Sequence, residues 1–389
     1  MIRFSICGAA SYACGELLRL MVNHPETQVA HLADSFAAGR RIQDEHPALM
    51  GFYDQEILPL NDETIAQIVE DSDVVFTAVD AGTVCGIAEK VLAGGKKFID
   101  FGADIRFRDA KVWEKWYHLD HPNYEMTKEA VYCIPEIQRD LAKGKSLISN
   151  PGCYPTATTL GLYPVVKEGM VVENTIVVDA KSGYTGAGRR PAPNKLLTEA
   201  TNNFCAYALG GSHRHTPEIE QNIAYIQGRD LMKPETWQFI NFQPHLTPQI
   251  RGIEVTIYAT LNKDITNDEL FELYQNYYKD EPFVRVFPAS KPAQTKWTAG
   301  TNMCCMTPTY DARTKRLLVS SVIDNIGKGA AGQAIPAHHN QWQQIGNNGS
   351  GWSVAVMDGL KIRILGNHKP DNTKPEQFPS VGPLSHNRQ

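Results

Sequence analysis

Near the middle of the chain, Asn150-Pro151-Gly152-Cys153-Tyr154-Pro155-Thr156 places a cysteine where a loop enters a helix. Free N–H groups and the helix dipole at such a position favour a thiolate, so the segment predicts a thiol of lowered pKa. The same N–H groups suit an oxyanion on an attacked acyl carbon. A lone cysteine is more often a small buried hydrophobe; the glycine and prolines crowding Cys153 set it apart. Farther along, Gly210-Gly211-Ser212-His213-Arg214-His215-Thr216-Pro217-Glu218 sets two histidines around an arginine just before a helix start, with Thr216 as the expected N-cap. His213 and His215 offer a base whose ordinary pKa suits proton traffic at a thiol, and Glu218 adds a carboxylate.

Three further segments carry ligand-binding chemistry. Cys7-Gly8-Ala9-Ala10-Ser11-Tyr12-Ala13-Cys14-Gly15 is a strand-to-helix turn of small residues, the place where dinucleotide folds receive a pyrophosphate. It lacks G-x-G-x-x-G, so an ordinary tight turn reads equally well. Asp104-Ile105-Arg106-Phe107-Arg108 offers guanidinium forks to a phosphate, or surface ion pairs. The Gly-rich stretch Lys181–Arg190 suits backbone approach to a ligand, or a plain flexible loop.

The elements that must position these residues fall into two textures. Strands at Ile2–Cys7, Val29–Leu32, Asp73–Val79, Lys97–Asp100 and Ser146–Ser149 alternate with helices at Gly15–Asn23 and Thr83–Leu92. This is the pattern of a parallel sheet with crossover helices. After Cys153 the strands Thr175–Ala180, Ile253–Leu261 and Arg316–Ile323 alternate apolar with polar, as in an antiparallel sheet covered on one face. Helices are expected at Tyr154–Lys167, Pro217–Ile226 and Asn267–Tyr277, and a small-residue helix after Asp324. The fold class is α/β: a Rossmann-like parallel-sheet domain (1–152, joined by a returning helix at 325–335) plus an α+β domain with a mainly antiparallel sheet (153–324). Residues 336–389 form an atypical tail, with a hairpin pattern over 354–364 and disorder expected from Asn367 onward.

Lys+Arg of 38 against Asp+Glu of 43 gives a net charge of −5 without a basic tract, which argues against nucleic-acid or anionic-membrane partners. No apolar run reaches the ~18 residues of a membrane span. The opening Ile2-Arg3-Phe4-Ser5-Ile6 lacks a signal-peptide pattern, so a cytoplasmic location is expected. Eight cysteines without Cys-x-x-Cys or a Cys/His cluster predict neither a disulfide scaffold nor a metal site.

Through Gly8–Leu20, His46-Pro47, Ala103-Asp104-Ile105-Arg106, Tyr132–Glu136, Asn150–Thr156, Ser182–Arg189, His213–Glu220 and Asp324–Ala334, in that order, the chain resembles the N-acetyl-gamma-glutamyl-phosphate reductases, NADP-dependent enzymes of arginine biosynthesis. The resemblance covers roughly residues 1–335. It implies that Cys153 attacks an acyl phosphate, releases inorganic phosphate and forms a thioester, which NADPH reduces to a semialdehyde. His213 is the first choice of acid/base and His215 the second, with Glu218 orienting the histidine or touching substrate. Arg106, Ser182, Gly183, Arg189 and Arg214 would bind substrate. Gly8, Ala9, Ser11, Tyr12, Ala13, Ser35 and Asn325 would hold NADP(H), and a homo-oligomer, dimer or tetramer, is implied. Ser35 with Arg40-Arg41 would suit the 2′-phosphate, whereas Asp34 would suit a 2′-hydroxyl. Where the family's first turn has glycines this chain has Ser11 and Cys14, whose side chains are expected to crowd the pyrophosphate. Cys133 likewise replaces a glycine, and Gly327 a larger residue. Competing readings are the same chemistry on aminoadipyl or aspartyl phosphate, cofactor-free acyl transfer, and a catalytically impaired homologue that acts as a binding protein.

Overall fold

The computed structural model describes residues 1–335, apart from 23, 190–192, 194 and 195. The tail 336–389 and its hairpin therefore lie outside the described residues. Seven strands build a first sheet: β1 (Ile2–Cys7), β2 (Thr27–Asp34), β3 (Leu58–Pro59), β4 (Val74–Thr77), β5 (Lys97–Asp100), β6 (Val131–Tyr132) and β7 (Leu147–Ser149). Their order is β3-β2-β1-β4-β5-β7-β6 and every pairing is parallel. Buried on both faces, these strands read as near-continuous apolar runs such as Val74-Val75-Phe76. Because all point the same way, the segments after β1, β4, β5 and β7 emerge along one edge. That single fact brings the Gly8 turn and the Asn150–Cys153 loop to the same side of the sheet. The order reverses between β1 and β4, where open α/β sheets form a ligand crevice.

A second sheet holds β8 (Val177–Ser182), β9 (Cys205–Ala206), β10 (Asn241–Leu246), β11 (Ile253–Thr260), β12 (Val284–Val286), β13 (Cys304–Asp311) and β14 (Arg316–Ile323), in the order β12-β13-β14-β11-β8-β10-β9. Four of its pairings are antiparallel; β8 with β10 and β12 with β13 are parallel. In β11 alternate residues are buried, as the period-2 reading expects. The inward face packs against the Cys153–Lys167 helix, whose Gly161 lies so close that a Cβ there would sit 2.7 Å from Ile257 Cδ1. The Thr216–Ile226 and Asn267–Tyr278 helices contribute Ile219, Ile223, Leu270 and Tyr274 to the same core.

The sequence expectation needs several corrections. The first helix runs Tyr12–Met21 rather than from Gly15, because Ser11 caps it. Strands β10 and β13 were not expected; each carries a proline (Pro244, Pro308), which weakens the strand pattern. The N-cap before Pro217 is His215, without a side-chain cap bond, and Thr216 is the first helical residue. Its hydroxyl bonds Gly211 O instead, at 3.3 Å. After Asp324 the chain forms a π-helix, Gly327–Ala331, a wide turn often found at functional sites. Ala331 and Ala334 pack into one core cluster with Cys14, Leu17 and Leu18 of the first helix.

Candidate active site

Cys153 is the first residue of its helix, with Gly152 as N-cap. A Cβ on Gly152 would lie 2.6 Å from His215 Nε2 and 3.0 Å from Arg106 Nη1, so only glycine admits both groups beside the cysteine. On another side, the π-helix brings Gly329 so near that a Cβ there would meet Cys153 Cβ at 2.7 Å. Asn150 Nδ2 donates to Ala330 O at 3.1 Å and ties this turn to the cysteine loop.

Glu218 anchors the loop from below. It is fully buried and accepts from Gly152 N–H at 2.8 Å, from Tyr132 Oη at 2.9 Å and from Arg106 Nη1 at 3.0 Å. Arg106, also buried, donates in addition to Asn150 O at 3.1 Å and Phe101 O at 2.8 Å. The fork that a sequence reader assigns to phosphate is thus largely spent on holding the loop.

The two histidines have different surroundings. The His215 N–H donates to His213 Nδ1 at 3.0 Å, which puts the proton of a neutral His213 ring on Nε2. That Nε2 faces Tyr207 Oη at 3.4 Å, and Tyr207 Oη donates to Tyr154 Oη at 3.3 Å. His213 therefore has no spare acceptor nitrogen. His215, its ring 4.9 Å away, points Nε2 at Gly152 while its Nδ1 has no partner among the described residues. Burial, with Arg214 nearby, pushes His213 down to about 4. Burial, with His213 and Arg106 adding to it, holds His215 well below the ordinary histidine range. Both rings are neutral at neutral pH.

The thiol departs from the sequence expectation. Burial pushes Cys153 up, to about 11, although the Tyr154 N–H and Arg106 pull it down. Desolvation of this partly buried cysteine outweighs the helix terminus. The resting pair is thus a neutral thiol and a neutral imidazole.

Of the expected substrate residues, Ser182 ends β8 with Gly183 just after it, and the Ser182 hydroxyl stands within reach of the Tyr154 phenol. A Gly183 Cβ would meet Gln249 O and Ile250 O, both at 2.9 Å. Arg189 and Arg214 point elsewhere. Arg189 donates to Ala10 O at 3.0 Å and pairs with Glu45 at 2.8 Å. Arg214 stacks over the Tyr117 ring at 4.8 Å.

The β1–helix turn fits a dinucleotide. Gly8 adopts φ +91°, and a Cβ there would lie 2.4 Å from Ala78 O. Ser11 stands at φ −71° and accepts from Cys14 N–H at 3.2 Å, so it needs no glycine conformation and satisfies a helix-end donor. Cys14 is fully buried in the core; its side chain faces away from the turn's open side, so the expected crowding by this residue does not arise. Tyr12 and Ala13, at the first two helical positions, keep N–H groups without an intrahelical acceptor. His46, given no role by sequence reading, donates from Nε2 to Ala9 O at 2.9 Å, and its ring fills the space a Gly15 Cβ would take. The His46-Pro47 pair was the only signal. Asp34 Oδ2 accepts from Ala10 N–H at 3.1 Å, while Ser35 beside it is exposed. Asn325 is buried between Gly252 N–H at 2.8 Å and Thr185 Oγ1 at 2.8 Å.

Two family models match the chain: semialdehyde dehydrogenase, NAD binding domain, over residues 3–145, and semialdehyde dehydrogenase, dimerisation domain, over 153–325. Among curated proteins, the N-acetyl-gamma-glutamyl-phosphate reductases of Desulforamulus reducens and Desulforudis audaxviator are each 43% identical over 335 residues, covering 86% of this chain and 94% of theirs. The chain belongs to the N-acetyl-gamma-glutamyl-phosphate reductase family. It is an oxidoreductase of the semialdehyde dehydrogenase type, with a domain for a nicotinamide cofactor. Solved aspartate semialdehyde dehydrogenases share the fold. The Vibrio cholerae enzyme II complexed with ASA has a TM-score of 0.65 at 14% identity, over 87% of this chain and 98% of that one. The Candida albicans enzyme with NADP has a TM-score of 0.64 at 14% identity, over the same shares. Among the described residues of this reductase, no helix is long and apolar enough to cross a membrane.

Proposed function

We propose that this reductase converts N-acetyl-L-glutamyl 5-phosphate to N-acetyl-L-glutamate 5-semialdehyde in arginine biosynthesis, with NADPH as reductant and Cys153 as nucleophile. Residues 1–152 with 325–335 serve as the cofactor domain and 153–324 as the catalytic one. The observation that carries the reading is Cys153 at a helix start between Gly152 and Gly329, with His215 Nε2 against Gly152.

Cys153 Sγ bonds the acyl carbon as its proton passes to His215 Nε2, and the carbon–phosphate oxygen bond breaks to release inorganic phosphate. The thiol lies near 11 and His215 is held low, so transfer must be concerted with attack. The N–H groups at the helix start face the oxyanion. When bound, the dinucleotide supplies a hydride to the thioester carbon. His215 then returns its proton as the thiohemiacetal collapses and Cys153 regains its thiol. His213, its own tautomer set by the His215 N–H, packs its ring against that of His215, and Glu218 holds the Gly152 N–H. Arg106, its three nitrogens bonded to Asn150 O, Glu218 and Phe101 O, acts by holding the loop and by placing positive charge beside Gly152.

The Gly8–Ala13 turn would hold the pyrophosphate. NADP over NAD is supported by Asp34, whose carboxylate takes the N–H groups of Ala10, Phe36 and Ala37. It is thereby withdrawn from a ribose hydroxyl, and Ser35 with the nearby arginines is left for the 2′-phosphate. The outer face of the second sheet, where Lys181 bridges Asp179 and Glu254, would pack subunits of a dimer or tetramer.

The reverse reaction tests the reading. Wild type should reduce NADP with N-acetylglutamate semialdehyde only when inorganic phosphate is present, prefer NADP to NAD, and lose turnover in Cys153→Ser. Faster turnover of aspartate semialdehyde, or phosphate-independent turnover, would overturn it.

A further inference from the structure

A cleft of about 600 Å³ opens behind the catalytic loop, between edge strand β6, the Pro135–Ala142 helix and the Thr216–Ile226 helix. That volume is within the ~300–1,000 Å³ of small-molecule sites. Its walls mix apolar side chains, among them Ile105, Val131, Leu141 and Leu147, with polar and charged ones; Arg108, Lys128 and Lys145 line it beside Glu129, and Lys128 pairs with Glu125.

Arg108 is the unusual group. Its Nη1 donates to the carbonyls of Thr127, Lys128 and Ala130, none of which carries charge. Among the described residues it has no carboxylate partner, and its Nε and Nη2 donors are unspent. It belongs to the Asp104–Arg108 segment whose other arginine, Arg106, supports the catalytic loop. A guanidinium without a carboxylate partner at the wall of a partly apolar cleft suits an anion.

The floor of the cleft is the underside of the catalytic network. Asn222 and Tyr132 line it, and Asn222 Nδ2 donates to Tyr132 Oη at 3.0 Å. Tyr132 Oη in turn donates to Glu218 Oε1, the atom that accepts Gly152 N–H. A second link runs through Gln221, which accepts from Arg108 N–H at 3.0 Å and donates to Arg106 O at 3.0 Å. Any ligand that moves Tyr132 or Arg108 therefore acts on the loop carrying Cys153, through Glu218 in the first case and through Gln221 and Arg106 in the second.

We propose that this cleft is a second ligand site, for a small anion with an apolar body, and that its occupancy is felt at the Cys153 loop. The second half rests on the reading of Cys153 as nucleophile; the first does not. The probe is 8-anilinonaphthalene-1-sulfonate, titrated by fluorescence into the full chain with saturating NADPH present to keep it from the cofactor turn. Saturable binding of one probe per chain is expected, weakened about tenfold or more, the size of one lost charge-assisted contact, by Arg108→Gln. Leu141→Glu, at an exposed lining position, should weaken it similarly without touching the carbonyl bonds of Arg108. Alkylation of Cys153 by iodoacetamide, read on its peptide by mass spectrometry, should change at least about fivefold when the probe is bound. Binding abolished by NADPH, or indifferent to both variants, would overturn the site; binding with unchanged Cys153 alkylation would overturn the coupling. Neither readout uses turnover, so failure here and failure of the reductase reading are distinguishable.

Discussion

Replacing Glu218 by glutamine probes the support of the Cys153 loop directly. The carboxylate is fully buried, Arg106 is nearly so, and three donors converge on it from Gly152, Tyr132 and Arg106. The amide keeps one acceptor oxygen but turns an NH2 group toward either Arg106 or the Gly152 N–H, leaving a buried guanidinium without its counter-charge. Breaking a buried pair from one side costs about 3–5 kcal/mol. Glu218→Gln should therefore lose about that much in urea unfolding followed by tryptophan fluorescence, at unchanged denaturant slope. Arg106→Met should lose a similar amount, and the double variant should fall short of the sum by about 1–3 kcal/mol, since it leaves no unpaired charge. A single variant within about 0.5 kcal/mol of wild type, or strictly additive losses, would refute the claim that this pair holds the loop.

Glu220 gives a pH prediction on the same helix. Burial raises its carboxyl from an ordinary 4.5 to about 7, against the pull of the Ile240 N–H and Lys115. A raised carboxyl favours the folded state while protonated, so this contribution is full below about 4.5 and lost as pH rises through about 7. It amounts to roughly 3 kcal/mol at most. Glu220→Gln, which keeps an acceptor for Ile240 N–H, should flatten that decline; an unchanged pH profile would show that the group is not responsible. At the two histidines, His215→Asn should lower kcat by about 10²–10⁴-fold. His213→Asn should cost clearly less, and equal or reversed losses in steady-state assays would exchange their roles.

Much of the architecture was legible because apolar periodicity reports it. Lys97–Asp100 and Arg316–Ile323 have the bounds expected from their sequences, and the Cys153 helix starts within a residue of its expected position. Local chemistry marked Cys153 and the two histidines as a site. What the sequence could not show depends on contacts between distant segments. The shift of Cys153 toward about 11 follows from desolvation by the surrounding fold, which no local pattern encodes. Tyr132, Asn222 and Tyr207 matter only through what their polar atoms meet after folding. Ser11 and Cys14 looked like obstacles beside a glycine pattern; the backbone shows one as a helix cap and the other as core. Arg189 reads as a substrate cation next to glycines, yet lies across the Gly8–Ala13 turn on Ala10 and Glu45.

Covalent catalysis is the central claim, and trapping the acyl-enzyme tests it most directly. Wild type mixed with N-acetylglutamyl phosphate without NADPH should release one equivalent of phosphate per site and gain one N-acetylglutamyl group, located on the Cys153 peptide by mass spectrometry. Added NADPH should discharge it as semialdehyde, and Cys153→Ser should show neither the burst nor the adduct. An adduct at another residue, or reduction by the Cys153→Ser protein, would contradict the account.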